Sequence, residues 1–439
     1  MQTFEDNRLS HELRLAIKRL GFTEPTQIQR EAIPPTLEGK DVIGESATGS
    51  GKTLVFGCRV VESVIPKAGL QAIILTPTRE LAEQIKESLR TFAYHKSLTI
   101  ISVYGGVSMS AQLHDLPRSE VVVGTPGRMM DHLRRGTLRT DRVKLLVLDE
   151  ADRMLDMGFI KDVEQLIRAC PRDRQTLFFS ATISSDINAL AHKYMRSPVK
   201  VSAKTHVDPE KLKQVYYNIQ KNVKLSLLIH LLQQEKTSLA MVFCNTRRTT
   251  DFVVKNLKAN KIESIAIHGG LAQNKRTKML DLFHQAKVQV LVCTDVAARG
   301  LHISNVSHVY NYEIPKDPKD YVHRIGRTAR AGEEGKVVNL LSEQDHENFG
   351  RIQRDYRNFH IQKLEKPFLN KVVILRDEPR SFEREFPRRN FPRRGFSGRR
   401  WEKRDYQSSE QGSRFGQRSS EGERNSRFHS GERSDHRTH

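Results

Sequence analysis

From residue 41 to about 345 the chain alternates two textures. Short apolar runs rich in β-branched residues (Gln71–Thr76, Leu98–Tyr104, Glu120–Gly124, Lys144–Asp149 and Gln175–Ser180) are separated by amphipathic helical stretches. A second series (Ser238–Cys244, Glu263–His268, Val288–Thr294, Val306–Tyr312 and Lys336–Leu341) repeats the alternation. Near-continuous apolar strands separated by helices predict βαβ units and parallel sheets covered on both faces. Two series therefore predict an α/β chain of two doubly wound parallel-sheet domains. The polar stretch Ala203–Lys213, with Pro209 inside it, divides them. The expected bounds are 1–205, a connection at 206–213, and 214–372, with Glu343–Lys371 as the closing helix and strand.

After about Val373 the texture stops. Residues 371–439 hold 18 Lys plus Arg against 11 Asp plus Glu and almost no aliphatic side chains. Such a segment buries too little apolar surface to offset its ordering entropy, so 373–439 is expected to be disordered. Phe382, Phe386, Phe391, Phe396, Trp401, Tyr406, Phe415 and Phe428 are spaced among its arginines and glycines. Rings that stack on bases and arginines that neutralise phosphates are what sequence-tolerant single-strand binders use. An RNA-binding arm is expected, with a solubilising tail as the plainer reading.

The whole chain of 439 residues carries a net charge of +21, which points to a polyanionic partner. No apolar run approaches the roughly 20 residues of a membrane span, and Met1–Phe22 lacks an apolar signal region, so no membrane partner and a cytoplasmic location are expected. Cys58, Cys170, Cys244 and Cys293 lie far apart without a paired motif. They predict buried side chains in a reducing compartment, and neither a zinc site nor a disulfide framework.

Two strand ends carry the chemistry. After the strand-like Asp41–Gly44 come Ser46, Ala47, Thr48, Gly49, Ser50, Gly51, Lys52 and Thr53, then an apolar helical stretch. This is the setting of a P-loop: glycines let backbone N–H groups wrap a phosphate, Lys52 reaches the terminal phosphates and Thr53 can hold Mg²⁺. Asp149-Glu150-Ala151-Asp152 follows the apolar strand Leu145–Leu148, at the carboxyl end where parallel sheets bind ligands. There Asp149 suits Mg²⁺, and Glu150 suits orienting the attacking water on ATP. Other strand ends offer Pro77, Thr78 and Arg79, then Gly105 and Gly106, then Thr125, Pro126, Gly127 and Arg128. Backbone N–H groups, hydroxyls and arginines on one sheet edge favour phosphate contacts. Arg79 and Arg128 have a competing use as intramolecular salt-bridge partners.

Asp-Glu-Ala-Asp and the motifs around it resemble the DEAD-box ATP-dependent RNA helicases, in the family's order from about Phe4 to Ser342. The resemblance implies two tandem RecA-like domains and ATP-dependent, local and non-processive unwinding of RNA duplexes, with remodelling of RNA or ribonucleoprotein. Gly21–Gln29 is similar to the Q motif, which implies that Gln29 reads the adenine edge and that Phe4, with Phe22 beside the site, meets the ring. Ser180 and Thr182 resemble the motif coupling ATP state to unwinding, with Asp152 and His323 as further coupling residues. Asn245 and Thr246 resemble motif IV. Thr294, Asp295, Arg299 and Gly300 resemble motif V, which binds RNA and, at Asp295, approaches ATP. Tyr321–Arg330 resembles motif VI, making Arg327 and Arg330 arginine fingers on the γ-phosphate. His302 departs from the pattern: the family usually has an acidic residue there on the ATP ribose, and His302 either takes that contact more weakly or faces away. Single- and double-stranded RNA and ribonucleoprotein are the implied partners of a monomer. A double-stranded-DNA translocase would share the P-loop and the acidic motif, but its ATPase would respond to DNA.

Overall fold

The computed structural model describes residues 3–5, 8–46, 49–203, 212–235, 238–298, 303, 306–328 and 335–375. Among these residues fourteen strands form two seven-stranded sheets. The first takes β1 (Val42–Ser46), β2 (Ala72–Leu75), β3 (Ile100–Val103), β4 (Val121–Gly124), β5 (Leu145–Leu148), β6 (Gln175–Ser180) and β7 (Val199–Ala203) in the order β3-β4-β2-β5-β6-β1-β7. The second takes β8 (Leu212–Asn218), β9 (Ala240–Cys244), β10 (Ser264–Ile267), β11 (Val290–Thr294), β12 (His308–Asn311), β13 (Gly335–Leu341) and β14 (Ile361–Leu364) in the order β10-β11-β9-β12-β13-β8-β14. The two orders are the same once seven is added to each strand number, and every pairing is parallel. Right-handed crossovers send helices to both faces, and each sheet lies between two apolar clusters. That double cover is why β5 (LLVL) and β9 (AMVFC) are buried at every position.

Every expected run contains a strand. Two strands fall where the sequence reads as polar. β7 ends at Ala203 and β8 begins at Leu212, so Leu212 and Lys213 belong to the second sheet and not to the connection. In β8 the pattern alternates (LKQVYYN, buried at Leu212, Gln214, Val215 and Tyr217), and its polar residues hide it from a search for apolar runs. The rest of the expected connection, 204–211, lies outside the described residues. The second lobe also continues past 372: Leu375 is hydrogen-bonded to Asn256 in the helix Arg247–Ala259 and Val373 to Asn260, which caps it. The expected disordered tail otherwise lies outside the described residues. Both lobes fall within one compact unit, Met1–Glu378. All four cysteines are buried, and burial pushes the Cys170 thiol up to about 11. No helix among the described residues is long and apolar enough to cross a membrane.

Candidate active site and nucleic-acid interface

The loop after β1 is held from several sides. Gly51 caps the helix Lys52–Ser63 with a left-handed φ of 93°, and a Cβ there would also collide with the Gln29 carboxamide; only glycine satisfies both. Gln29 Nε2 donates to the Gly51 carbonyl at 3.1 Å while its Oε1 accepts from Thr26 N at 2.9 Å. Thr26 Oγ1 donates to the Ser50 carbonyl at 2.7 Å, so the helix Gln27–Leu37 and the loop form one body. Lys52 Nζ donates to the Ser46 carbonyl at 3.0 Å, and Ser50 Oγ donates to Ser46 Oγ at 2.9 Å. The Ser46 hydroxyl is thus spent inside the loop. Ala47 and Thr48 lie outside the described residues.

Beside this loop, β5 delivers Asp149 and Glu150. Asp149 accepts from Glu150 N at 3.0 Å, and burial pushes its carboxyl up to about 6 although Lys52 pulls the other way. Glu150 has φ 52°, a left-handed conformation that costs a non-glycine residue roughly 1–3 kcal/mol. Its Oε2 is buried without a partner among the described residues. A carboxylate oxygen left so in a cleft has room for a water's hydrogen bond. The cleft, of about 310 Å³, is lined by Phe22, Glu24, Thr26, Gln29, Gly49, Gly51, Lys52, Thr53, Leu81, Asp149 and Glu150. Phe4 is not among them. It is 5% exposed and packed in the core with Leu9 and Leu13, because the helix His11–Arg19 and the residues before it cover that face of the sheet. The aromatic face available to the cleft is Phe22, 44% exposed. Asp152, Ser180 and Thr182 do meet: Ser180 Oγ accepts from Asp152 N at 3.3 Å and donates to the Thr182 carbonyl at 2.7 Å, and Asp152 Oδ2 accepts from Thr182 N at 3.3 Å.

At the carboxyl ends of β2 and β3, Thr78 caps the helix Arg79–Phe92, accepting from Leu81 N at 3.3 Å. The Arg79 guanidinium lies flat on the Gly105–Gly106 turn, where a Cβ on Gly106 would collide with it. Thr125 precedes Pro126, the first residue of the helix Pro126–Arg134, and Gly127 faces open space. Arg128 has internal partners, donating to Gln112 Oε1 at 3.1 Å and the Val107 carbonyl at 3.4 Å, with Asp131 at 3.9 Å. The second lobe repeats the first of these arrangements. Thr246 caps the helix Arg247–Ala259, accepting from Thr249 N at 3.0 Å, and the Arg247 guanidinium lies on Gly269, 3.1 Å from where its Cβ would be. Arg247, Gly269 and Gly270 escaped the reading of the sequence. The signal was present: Thr-Arg after β9 and Gly-Gly after β10 copy Thr78-Arg79 after β2 and Gly105-Gly106 after β3.

Asn245, which is exposed, and Asp295, which is half-buried, share one arginine as a partner. The buried Arg324 donates to both oxygens of Asp295 at 2.6 and 2.7 Å, to Asn245 Oδ1 at 3.0 Å, to Asn311 Oδ1 at 3.0 Å and to the Glu313 carbonyl at 2.6 Å. Asn245 Nδ2 donates to the Ile314 carbonyl at 2.9 Å. A guanidinium that is 1% exposed must have its donors met, and Asp295 and Asn245 take three of its five bonds. As placed, both support motif VI through Arg324, while Asn245 stays exposed and Asp295 half-buried at the strand ends where the nucleic-acid and nucleotide contacts are expected of them. Thr294 ends β11, 8% exposed. Arg327 is absent from the lining of the first cleft; it lines a second, much smaller cavity with Arg153, Asp320 and His323, where Arg153 of the first lobe and Asp320 of the second stand 4.0 Å apart. Arg299, Gly300, His302 and Arg330 lie outside the described residues. The lobes also meet at Glu80, which accepts from Gln273 Nε2 at 2.8 Å and pairs with Arg276 at 3.1 Å.

Residues 26–190 match the family model for DEAD/DEAH box helicases, and residues 223–332 match that for the helicase conserved C-terminal domain. The chain is 42% identical to the DEAD-box ATP-dependent RNA helicase CshA of Geobacillus kaustophilus over 377 residues, 85% of this chain and 80% of that one. Among solved structures, Saccharomyces cerevisiae Dbp5 bound to RNA and ADP BeF3 aligns with a TM-score of 0.77 at 30% identity, covering 83% of this chain and 96% of that one. A DEAD box protein from Methanococcus jannaschii aligns at 0.52 and 39% identity, covering 83% and 99%.

Proposed function

The chain belongs to the DEAD-box family of ATP-dependent RNA helicases, and on that premise we propose that it separates RNA duplexes locally, without processive travel, and remodels RNA and ribonucleoprotein as a cytoplasmic monomer. One observation carries this reading: Lys52, Thr53, Asp149 and Glu150 share one cleft in the first lobe, while Glu80 of that lobe is bonded to Gln273 and Arg276 of the second. ATP chemistry and lobe closure are thereby built into one body. The higher TM-score against RNA-bound Dbp5 than against the more identical archaeal protein supports reading this lobe arrangement as near an RNA-engaged one.

In the proposed cycle Phe22 and Gln29 hold the adenine, and the backbone of Gly49–Thr53 with Lys52 holds the phosphates. Glu150 orients the attacking water through its unpartnered Oε2. The donor set suits Mg²⁺: a buried carboxyl pushed up to about 6 and a hydroxyl are hard oxygen ligands, and a cation beside Asp149 would offset the cost of its buried charge at neutral pH. Asp149 and Thr53 would hold the ion, which when bound neutralises phosphate charge. Arg327 and Arg330 swing to the terminal phosphate on full closure, where such arginines are worth about 10³–10⁵ in turnover. RNA runs over the strand-end edge, along Thr78-Arg79 with Gly105-Gly106, Thr125–Arg128, and Thr246-Arg247 with Gly269-Gly270. Asp152, Ser180 and Thr182 link the two sites, and residues 376–439 act as a basic, aromatic RNA-binding arm.

The test is ATP turnover with RNA, with sequence-matched DNA and without nucleic acid, beside strand displacement on duplexes of increasing length. RNA alone should stimulate turnover, and displacement should fall steeply with duplex length. Equal stimulation by DNA, or length-independent displacement, overturns the reading.

A further inference from the structure

Asn256, in the last part of the helix Arg247–Ala259, has no exposed surface. Asparagine is a poor helix former, and a buried carboxamide without partners costs about 1–3 kcal/mol. Its partners explain it. Nδ2 donates to the Phe252 carbonyl at 2.9 Å and the Leu375 carbonyl at 3.2 Å, while Oδ1 accepts from Leu375 N at 2.6 Å. Four residues on, Asn260 Nδ2 donates to the Val373 carbonyl at 2.8 Å and Oδ1 accepts from Val373 N at 3.0 Å. Each carboxamide thus holds the N–H and the C=O of one residue, as a neighbouring strand would. The spacings agree: four residues along a helix advance about 6 Å, and two along an extended chain advance about 6.6 Å. Leu369 and Val372 fasten the same segment to the core below.

We propose that Asn256 and Asn260 form a backbone-reading docking site for the chain's own segment Lys371–Leu375, which sets the point on the second lobe from which the basic residues 376–439 depart, on the helix that leads to the strand-end loops. Two facts give direction. The helix joins the parallel strands β9 and β10, so it runs against them, and its first residues, with Thr246 before them, stand at the carboxyl edge of the sheet. Val373 lies on Asn260 and Leu375 on Asn256, so from Val373 to Leu375 the chain runs up the helix toward that edge. From Asn256 to Thr246 is roughly 15 Å of helix, which about five extended residues span. Without the two asparagines the last hold on the chain among the described residues is the packing of Leu369 and Val372, so the arm starts at least three residues earlier and with no course set along the helix. Docking therefore raises the concentration of the arm's cations at the proposed RNA edge.

The inference rests on the reading of residues 376–439 as an RNA-binding arm, and the experiment separates the two. In the full chain, Asn256→Ala with Asn260→Ala removes the site. Val373→Pro with Leu375→Pro removes the two donors from an exposed segment, leaving the helix untouched. Affinity for a short single-stranded oligouridine is measured for the parent, both variants and a chain ended at Glu378, with hydrogen exchange of the Val373 and Leu375 amides. Protection should be present in the parent and lost in the asparagine variant; the proline variant has no amide at either position and is read by affinity alone. Both should bind RNA about 3- to 10-fold more weakly at unchanged basal ATPase, with the shortened chain weaker still. Unprotected amides in the parent overturn the docking site. Parental affinity in both variants, beside a weakened shortened chain, overturns its rooting role while the arm reading stands. Parental affinity in the shortened chain overturns the arm reading, and the rooting role with it, leaving exchange protection to decide the docking site alone.

Discussion

Glu150 and Asp149 are adjacent, and each is held in a condition it would not choose in a free peptide. Glu150 has a left-handed backbone and a bare oxygen; Asp149 is a carboxylate without solvent. Glu150→Gln keeps the shape and removes the charge, so ATP binding should persist while turnover falls by at least about 10². Trapping of RNA with ATP in a long-lived complex, read by RNA dissociation, is the accompanying signature. Asp149 titrates at about 6 against an ordinary 3.8. Between those values the folded chain binds more protons than the unfolded one, so this group's contribution to stability falls as pH rises from about 4 to 6, and at neutral pH its charge is a cost. Asp149→Asn should therefore stabilise the nucleotide-free protein at pH 7 by up to roughly 3 kcal/mol and remove turnover. Denaturant melts at pH 4 and 7 check this, since the gain should vanish at the lower value. Residue types and strand-end placement made the P-loop, Asp149 and Glu150 legible from sequence. The burial of Phe4 was not, because which way a side chain faces depends on the helix that covers it, and neither was the arginine that Asn245 and Asp295 both support.

Among the elements, the helices Arg79–Phe92 and Gln273–His284 carry the contact between lobes. Glu80 is 6% exposed, so removing Arg276 leaves a buried carboxylate without its charge partner, a loss worth about 3–5 kcal/mol. Arg276→Ala should open the lobes, measured as a larger radius of gyration, and lower RNA-stimulated turnover while ATP binding holds. The paired replacement Glu80→Gln with Arg276→Met should recover much of the loss. The two arginine–diglycine arrangements make a matched pair. Arg79→Ala and Arg247→Ala should each weaken RNA binding and each flatten the salt dependence by about 0.7, measured as binding against salt concentration. A lobe-two variant without effect on the slope would separate the structural repeat from any shared role. Element order was readable from apolar runs, whereas β8 was missed because Lys213 and Gln214 interrupt its pattern.

At the scale of the whole molecule, the motifs the comparisons align end at residue 332. Ending the chain at Glu378 should thus spare basal turnover and weaken RNA binding, more at low salt than at moderate salt, as lost arginine–phosphate contacts require. Equal affinity at both salt concentrations would remove the arm from the account. The order β3-β4-β2-β5-β6-β1-β7 has a further consequence, in time. β1 is made first, yet its two neighbours are β6 and β7, which the ribosome supplies only at Gln175–Ser180 and Val199–Ala203. At about 5–20 residues per second, the loop from Ser46 to Thr53 waits roughly 7–30 seconds for the strands that fix it. Cellular ATP is present throughout that wait and cannot stabilise the nascent lobe until Ala203 has cleared the exit tunnel, so a phosphate loop made early in synthesis is among the last parts of the lobe to become usable.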